Sequence, residues 1–272
     1  MSIAKSPVIT MALTTPIYDA IKIMVKEGFR RMPVVDPGTR RLRGIITATD
    51  LIDYLGGGEK FQIIQQKYAG NFFRAINEPV KSVMTQKAVS VLTSAKISDA
   101  MELMKRHQIG GLPVVDEENR VWAIITERDI IGIFTGKIGG AKVADVMSRK
   151  VVTVKPSTPI SEAEKIMTEY GFRRLPIVSN GKLVGIVTVM DMLRYFGSGQ
   201  VFKHLQSGTI AQVLRTPIIE IAVKDVITVD PNVDVGQVAE LMRRRDVGAL
   251  PVIQNEKLVG IITERDFFKL IA

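Results

Sequence analysis

The eight residues from Gly28 to Val35, GFRRMPVV, return as GFRRLPIV at 171–178. Two further segments, IGGLPVVD at 109–116 and VGALPVIQ at 247–254, share the Leu-Pro-Val core but carry Gly-Gly or Gly-Ala where the first pair carries Arg-Arg. Four copies of one motif mark an internal repeat, which has to be settled before any local structure is read. Each copy leads into a β-branched run that ends in Thr-x-x-Asp: Thr47 to Asp50 in GIITATD, Thr126 to Asp129 in AIITERD, Thr188 to Asp191 in GIVTVMD and Thr263 to Asp266 in GIITERD. The motif proline precedes that aspartate by 15 to 17 residues in every copy, so only the hairpin between them varies.

Upstream of each motif lies a stretch of helical period. Ile17, Ala20, Ile21, Met24 and Val25 fall at i, i+3, i+4, i+7 and i+8. Ile97, Ala100, Met101 and Met104 repeat the pattern, as do Ile160, Ala163 and Met167, and Val235, Val238, Ala239 and Met242. Four helices are expected, each with one buried face. Start signals stand at Thr15-Pro16, Ser94, Ser157 to Pro159 and Asp230-Pro231. Before each helix comes a short β-rich run, VITM at 8–11, AVSV at 88–91, VVTV at 151–154 and VITV at 226–229. Hairpin turns are expected at Pro37-Gly38, Glu118-Asn119, Asn180-Gly181 and Asn255-Glu256. The whole reads as an α/β (α+β) chain of four β-α-β-β-α units.

One unit spans roughly 60 residues, a size that is marginal for a core of its own, so pairing is the expected remedy. The alternation of Arg-Arg with Gly-Gly or Gly-Ala is an A-B-A-B pattern, which implies two A-B modules, residues 1–137 and 138–272, divided in the Gly-rich GKIGGAK at 136–142. The four units fall at 1–57, 80–136, 143–199 and 220–272. Within each module the longer connection opens as Gly-x-Gly-x-x-Phe, at Gly56 and at Gly197. That run follows a helix and lacks a third glycine, so it reads as a helix C-cap and turn rather than a dinucleotide-binding loop.

Composition narrows the function. With 46% hydrophobic and 24% charged residues, a chain of 272 residues is expected to be globular. It has no cysteine, which removes disulfides and thiolate chemistry. Its apolar runs are of strand length, so no membrane partner is expected, and a cytoplasmic protein is the default. The net charge of +9 favours an anionic partner, whether nucleic acid, an acidic protein or a phosphorylated small molecule. Aromatics make up only 6%, and no segment is left over for a separate nucleic-acid-binding domain. The two histidines, His107 and His204, stand in unrelated contexts outside any metal-ligand pattern. No Walker loop, nucleophile elbow or kinase motif is present, so no enzyme is expected and no metal or catalytic cofactor is assigned.

The unit built on LPVVD and GIIT-x-x-D resembles the CBS domain, named after cystathionine β-synthase. Four in tandem look like the γ subunits of AMP-activated protein kinase and the archaeal stand-alone four-CBS proteins. The resemblance covers nearly the whole chain. It implies two Bateman modules packed as a disc, with AMP, ADP, ATP or S-adenosylmethionine held between paired repeats and occupancy signalled to an effector protein. It also assigns roles. Asp50, Asp129, Asp191 and Asp266 would hold ribose, with Thr47, Thr126, Thr188 and Thr263 beside them. A carboxylate on the first turn of a helix can accept both ribose hydroxyls, although an aspartate there also answers the helix dipole without any ligand.

Arg30-Arg31 and Arg173-Arg174 match the positions of a His-Arg pair that holds phosphate in the kinase subunit. Arginine in place of histidine keeps the charge at all pH values. Long cations at the entry to a buried strand are costly unless an anion meets them. Arg128 and Arg265 match a lysine that reaches phosphate from the opposing module, while a surface ion pair with Glu127 or Glu264 is the plain alternative. The base would lie in an apolar slot lined by Ile45, Ile124, Ile186 and Ile261 and by Phe29, Ile109, Phe172 and Val247. Thr10, Ser90, Thr153 and Thr228 match slot positions as well. Core packing explains the same apolar residues. The best sites are expected at Asp50 and Asp191, because the A copies carry the arginines.

Overall fold

The computed structural model describes residues 4, 7–134, 136, 139–199, 201 and 208–271. His204 lies outside the described residues. The class is the expected mixed α/β one, and each repeat is built on an amphipathic helix followed by a hairpin. The first helices are Ile17–Glu27, Ile97–Arg106, Ile160–Tyr170 and Val235–Arg245. In the first of these, Ile17, Ala20, Ile21 and Met24 are fully buried, as the period requires. Two helix starts differ from expectation. Helix Ile97–Arg106 begins after Lys96 rather than at Ser94, its amide end held by Asp99 (2.8 Å to the Lys96 amide). Helix Val235–Arg245 is capped by Asp234, whose Oδ1 accepts from the Gly236 amide at 2.7 Å, so Asp230-Pro231 lies one turn too early.

The hairpins pair Arg31–Val35 with Leu42–Thr47, Gly111–Val115 with Val121–Thr126, Arg174–Ser179 with Lys182–Thr188, and Ala249–Gln254 with Lys257–Thr263. Two of the turns are two-residue loops in the left-handed region, Asn180-Gly181 (φ 50° and 78°) and Asn255-Glu256 (φ 49° and 63°). The expected first strands are almost absent. Copies one and two keep Met11–Ala12 and Val91–Leu92, while copies three and four keep single bridges, Val154 to Ile177 and Val229 to Val252. The motif prolines explain this. In every copy, parallel pairing begins at the residue after proline: Met11 on Val34, Val91 on Val114, Val154 on Ile177 and Val229 on Val252. Proline brings no amide hydrogen to the ladder, so the chain before that point leaves the sheet.

The hairpins of copies one and two meet edge to edge. The Leu42 amide donates to Asn119 O at 2.9 Å and the Val121 amide to Arg40 O at 3.0 Å, over a small cluster of Val35, Val115 and Val121. Copies three and four are joined along their second strands and by a Lys182–Glu256 pair. The larger burial lies elsewhere. One core runs through copies one and three, from Ile17, Ile21 and Met24 to Ile160, Met167, Leu193 and Phe196, and takes in Ile64, Phe72, Ile210 and Ile218 of the long connections. The remedy for small repeats is therefore helix packing between copies one and three more than sheet packing between copies one and two. Gly56, Gly57 and Gly197 permit it. A Cβ at Gly57 would lie 2.7 Å from Glu164 Cβ, and one at Gly197 would lie 3.0 Å from Ile21 Cγ2. The glycines that open the long connections thus serve close helix approach.

Candidate functional site

At the centre of the four repeats lies a cavity of about 450 Å³, and the two arginine pairs line it. The sequence brings them there through a glycine. Helix Ile17–Glu27 ends at Gly28 (φ 70°) and helix Ile160–Tyr170 at Gly171 (φ 67°), which turns Phe-Arg-Arg back toward the hairpin. Arg31 then stands opposite Thr47 and Arg174 opposite Thr188 in the strand register. The matching positions of the other copies are Gly111 opposite Thr126 and Ala249 opposite Thr263. These small residues make the room. A Cβ on Gly111 would collide with the Arg31 guanidinium, one on Gly110 would sit 2.5 Å from Arg173 Nη2, and one on Gly248 would sit 3.1 Å from Arg30 Nη1.

Two buried glutamates tie part of this charge. Glu127 accepts from Arg173 Nη1 (3.2 Å) and from Arg265 Nε (3.1 Å). Glu264 accepts from Arg128 Nε (2.6 Å) and lies 3.7 Å from Arg30 Nη1. Arg128 also pairs with Asp246, and Arg265 Nη2 donates to Gln108 O at 2.9 Å. Burial alone would push the Glu264 carboxyl up, but Arg128 and Arg30 reverse this and hold it below its ordinary value. Among the described residues, no carboxylate pairs with Arg31 or Arg174. Burial pushes both guanidinium groups down to about 9, and Arg173 beside Arg31 and Arg30 beside Arg174 add to the effect. Both stay cationic at neutral pH.

The four Thr-x-x-Asp segments are reciprocal helix caps. In the first, the Thr47 amide and hydroxyl donate to Asp50 Oδ2 (2.8 and 2.6 Å) and the Asp50 amide donates to Thr47 Oγ1 (3.1 Å). Thr126 with Asp129, Thr188 with Asp191 and Thr263 with Asp266 repeat the arrangement. The threonines therefore position their aspartates. In three copies a cation covers the outer oxygen: Lys60 Nζ on Asp50 Oδ1 (2.5 Å), Arg194 Nη1 on Asp191 Oδ1 (2.5 Å) and Lys269 Nζ on Asp266 Oδ1 (2.8 Å). Asp129 Oδ1 has no such partner among the described residues.

The cavity gathers only some of the expected site. Arg30, Arg31, Arg128, Arg173 and Arg174 line it, with Asp191, Thr126 and Thr188, and with Phe29, Ile124, Ile186 and Val247 of the apolar slot. Segments 7–9 and 225–227, released from the sheets, complete its walls. Asp50, Asp129, Asp266, Thr47, Thr263 and Arg265 are not in its lining, nor are Ile45, Ile109, Phe172, Ile261, Thr10, Ser90, Thr153 and Thr228. Thr85 bridges Ile45, Ser148 bridges Ile261, and Phe172 stacks on Tyr170 at 5.6 Å. Glu127 and Glu264 enter the sequence reading only as partners in an alternative surface ion pair, and the structure buries both. The available signal was that TERD recurs in both B copies with its glutamate intact. Among the described residues no cluster of metal-ligating side chains occurs, and no helix is long and apolar enough to cross a membrane.

Four alternating repeats of this shape around one cationic cavity define a class. The CBS-domain model matches residues 1–57, 80–136, 143–198 and 218–272, and the chain belongs to the CBS-domain family. In particular it is similar to MJ1225 of Methanocaldococcus jannaschii, with 38% identity over 275 residues covering 100% of this chain and 98% of the relative. The crystal structure of MJ1225, proposed as an archaeal homologue of g-AMPK, matches with a TM-score of 0.96 at 37% identity, covering 100% of this chain and 99% of that one. A 33.4 kDa protein in the ribosomal RNA operon of Thermofilum pendens is 33% identical over 260 residues, 96% of this chain and 86% of its own. A similarity to the inosine-5'-monophosphate dehydrogenase of Nitrosopumilus maritimus, 36% over 112 residues, covers 23% of that enzyme and is confined to its CBS region.

Proposed function

We propose that the protein is a regulatory module that binds an adenine nucleotide in the central cavity and signals occupancy to an effector protein. The observation that carries this reading is the pair Arg31 and Arg174, two half-buried cations without a carboxylate ion-pair partner among the described residues, lining one cavity whose wall also holds Asp191. An unpaired buried charge is unfavourable and a phosphate relieves it. Asp191 would take ribose once Arg194 moves aside, and Ile186, Ile124, Phe29 and Val247 in the same wall would take the base. At about 450 Å³ the cavity falls in the usual range for ligand pockets, roughly 300 to 1,000 Å³. AMP, ADP and ATP differ only in the phosphates that would meet the arginines, so occupancy follows the adenylate pool.

S-adenosylmethionine fits less well, because its sulfonium adds positive charge where the cavity already has an excess. Nucleic acid is also disfavoured, since these arginines line a cavity of nucleotide size rather than an exposed face. Calorimetric titration of nucleotide-stripped protein with AMP, ADP, ATP and S-adenosylmethionine tests the reading. Saturation by at least one nucleotide and silence with S-adenosylmethionine is the expected result. Binding of S-adenosylmethionine alone, or of nothing, overturns it.

A further inference from the structure

We propose that Glu127 and Glu264 are specificity residues that limit how many phosphates the cavity accepts; the inference rests on the nucleotide reading above. Each glutamate is an internal competitor for the arginines that a polyphosphate chain needs. Glu127 belongs to copy two and engages Arg173 of copy three and Arg265 of copy four. Glu264 belongs to copy four and engages Arg30 of copy one and Arg128 of copy two. Both carboxylates are buried, at 3% and 8% exposure, so water screens them little. Asp246 meets Arg128 as well, but from the solvent side, with 87% of its side chain exposed.

The cluster is divided in a way that favours a short phosphate chain. Among the described residues no carboxylate forms an ion pair with Arg31 or Arg174, although Glu127 and Glu264 act on both from a distance, so one phosphate can sit between them without disturbing an existing pair. A second and third phosphoryl group must move outward toward Arg30, Arg128 or Arg173, and there each meets a carboxylate already in place. Gly110 and Gly248, both in the cavity wall, mark those points: their missing Cβ atoms would touch Glu127 and Arg173, and Glu264 and Arg30. Charge balance agrees. Leaving aside the solvent-exposed Asp246, six arginines against two glutamates leave a surplus of four positive charges in the cluster. A terminal phosphate monoester brings about −1.5 to −2, so two monophosphates nearly neutralise the surplus. Removing both glutamates raises the surplus to six and makes room for longer chains.

The test is titration of the wild-type protein, Glu127→Gln, Glu264→Gln and the double variant with AMP, ADP and ATP. The wild type is expected to bind AMP more tightly than ATP. In the double variant the gain should rise with phosphate number, with the ATP-to-AMP affinity ratio up at least tenfold. Arg128→Gln and Arg265→Gln give the opposite sign, because each frees a glutamate to hold Arg30 or Arg173 more closely; ATP should then weaken more than AMP. A wild type that prefers ATP, or glutamine variants with equal gains for all three nucleotides, overturns this inference and leaves the nucleotide reading intact. If the glutamine variants do not fold, the wild-type preference and the two arginine variants decide. Failure of the wild type to bind any nucleotide removes both.

Discussion

Copies one and three and copies two and four follow one backbone path through the motif and place opposite chemistry on it. Arg31 and Arg174 occupy the register position that Gly111 and Ala249 occupy in the other pair. One residue past the threonine that faces this position, the TERD copies contribute a buried glutamate where the arginine copies have Ala48 and Val189. The A copies supply the Arg-Arg pairs, and the B copies supply the space, the buried glutamates and one further arginine each, Arg128 and Arg265, paired with them. Neither kind makes a site alone, which is a physical reason for a chain with both in alternation. It also explains why the cavity lies where all four meet.

The most severe way to break the comparison is to give the A copies the small side chains of the B copies. Arg31→Ala with Arg174→Ala should remove most phosphate-dependent affinity, since each charge-assisted hydrogen bond is worth roughly 1.5 to 3 kcal/mol, or about ten- to a hundredfold. The ligand-free double variant should melt no lower than the parent, because burial already disfavours both charges. Calorimetry with AMP and a thermal melt read the two effects separately. Unchanged AMP affinity together with a lower melting temperature would make the arginines structural.

The reverse exchange is milder. Gly111→Ala puts a methyl against the Arg31 guanidinium and 2.9 Å from the Ile125 backbone oxygen, so an overpacking cost of about 1 to 3 kcal/mol is expected. Gly248→Ala should cost less, because its nearest contacts, at 2.9 to 3.1 Å, are the flexible ends of Glu264 and Arg30. Melting temperatures of the two variants rank them, and a larger loss at Gly248 contradicts the packing described for the cluster.

How much of this was legible in the sequence differs from feature to feature. The four copies and their helices were, because Leu-Pro-Val and Thr-x-x-Asp recur and the helical period is local. The short first strands are legible in principle, since Pro33, Pro113, Pro176 and Pro251 each lack the amide that would extend the parallel ladder. The glutamates were not, because Arg128 reaches Glu264 across 136 residues and Arg265 reaches Glu127 across 138, and nothing along the chain shows such a pairing. The covered aspartates are a mixed case: Arg194 and Lys269 follow Asp191 and Asp266 by three residues, a helical spacing that the sequence shows, whereas Lys60 reaches Asp50 only through the turn between them.

Among those aspartates the comparison sharpens to a single pair. Asp191 lines the cavity and Asp266 does not, although both are capped and cation-covered alike. Asp191→Asn should weaken AMP about tenfold, in line with losing one charge-assisted contact to ribose. Asp266→Asn should leave AMP affinity within twofold while costing similar stability through its weakened cap. Equal losses of affinity in the two variants would separate ribose binding from the cavity wall.

The smallest expected effect concerns the helices that join copies one and three. At the fifth residue of the first helix, copy one has Ile21, buried against Gly197, and copy three has Glu164, buried against Gly56 and Gly57. The apolar pattern of that helix skips position 164, and this omission was the only sign of it in the sequence. Neither Glu164 oxygen has a hydrogen-bond partner among the described residues, and burial alone raises its carboxyl well above the ordinary value of 4.5. A group whose folded pKa is raised holds its proton more firmly in the folded state, so stability is greatest below the ordinary carboxyl range and falls as pH rises through the raised value. Glu164→Leu should remove that fall. At pH 4 the variant should be at least as stable as the parent, because the protonated carboxyl is already without a partner, and the gap should widen toward pH 8 as burial penalises the charged form. Denaturant unfolding of both proteins at the two pH values measures the difference, and a gap that does not widen with pH would mean that Glu164 gains a partner in solution.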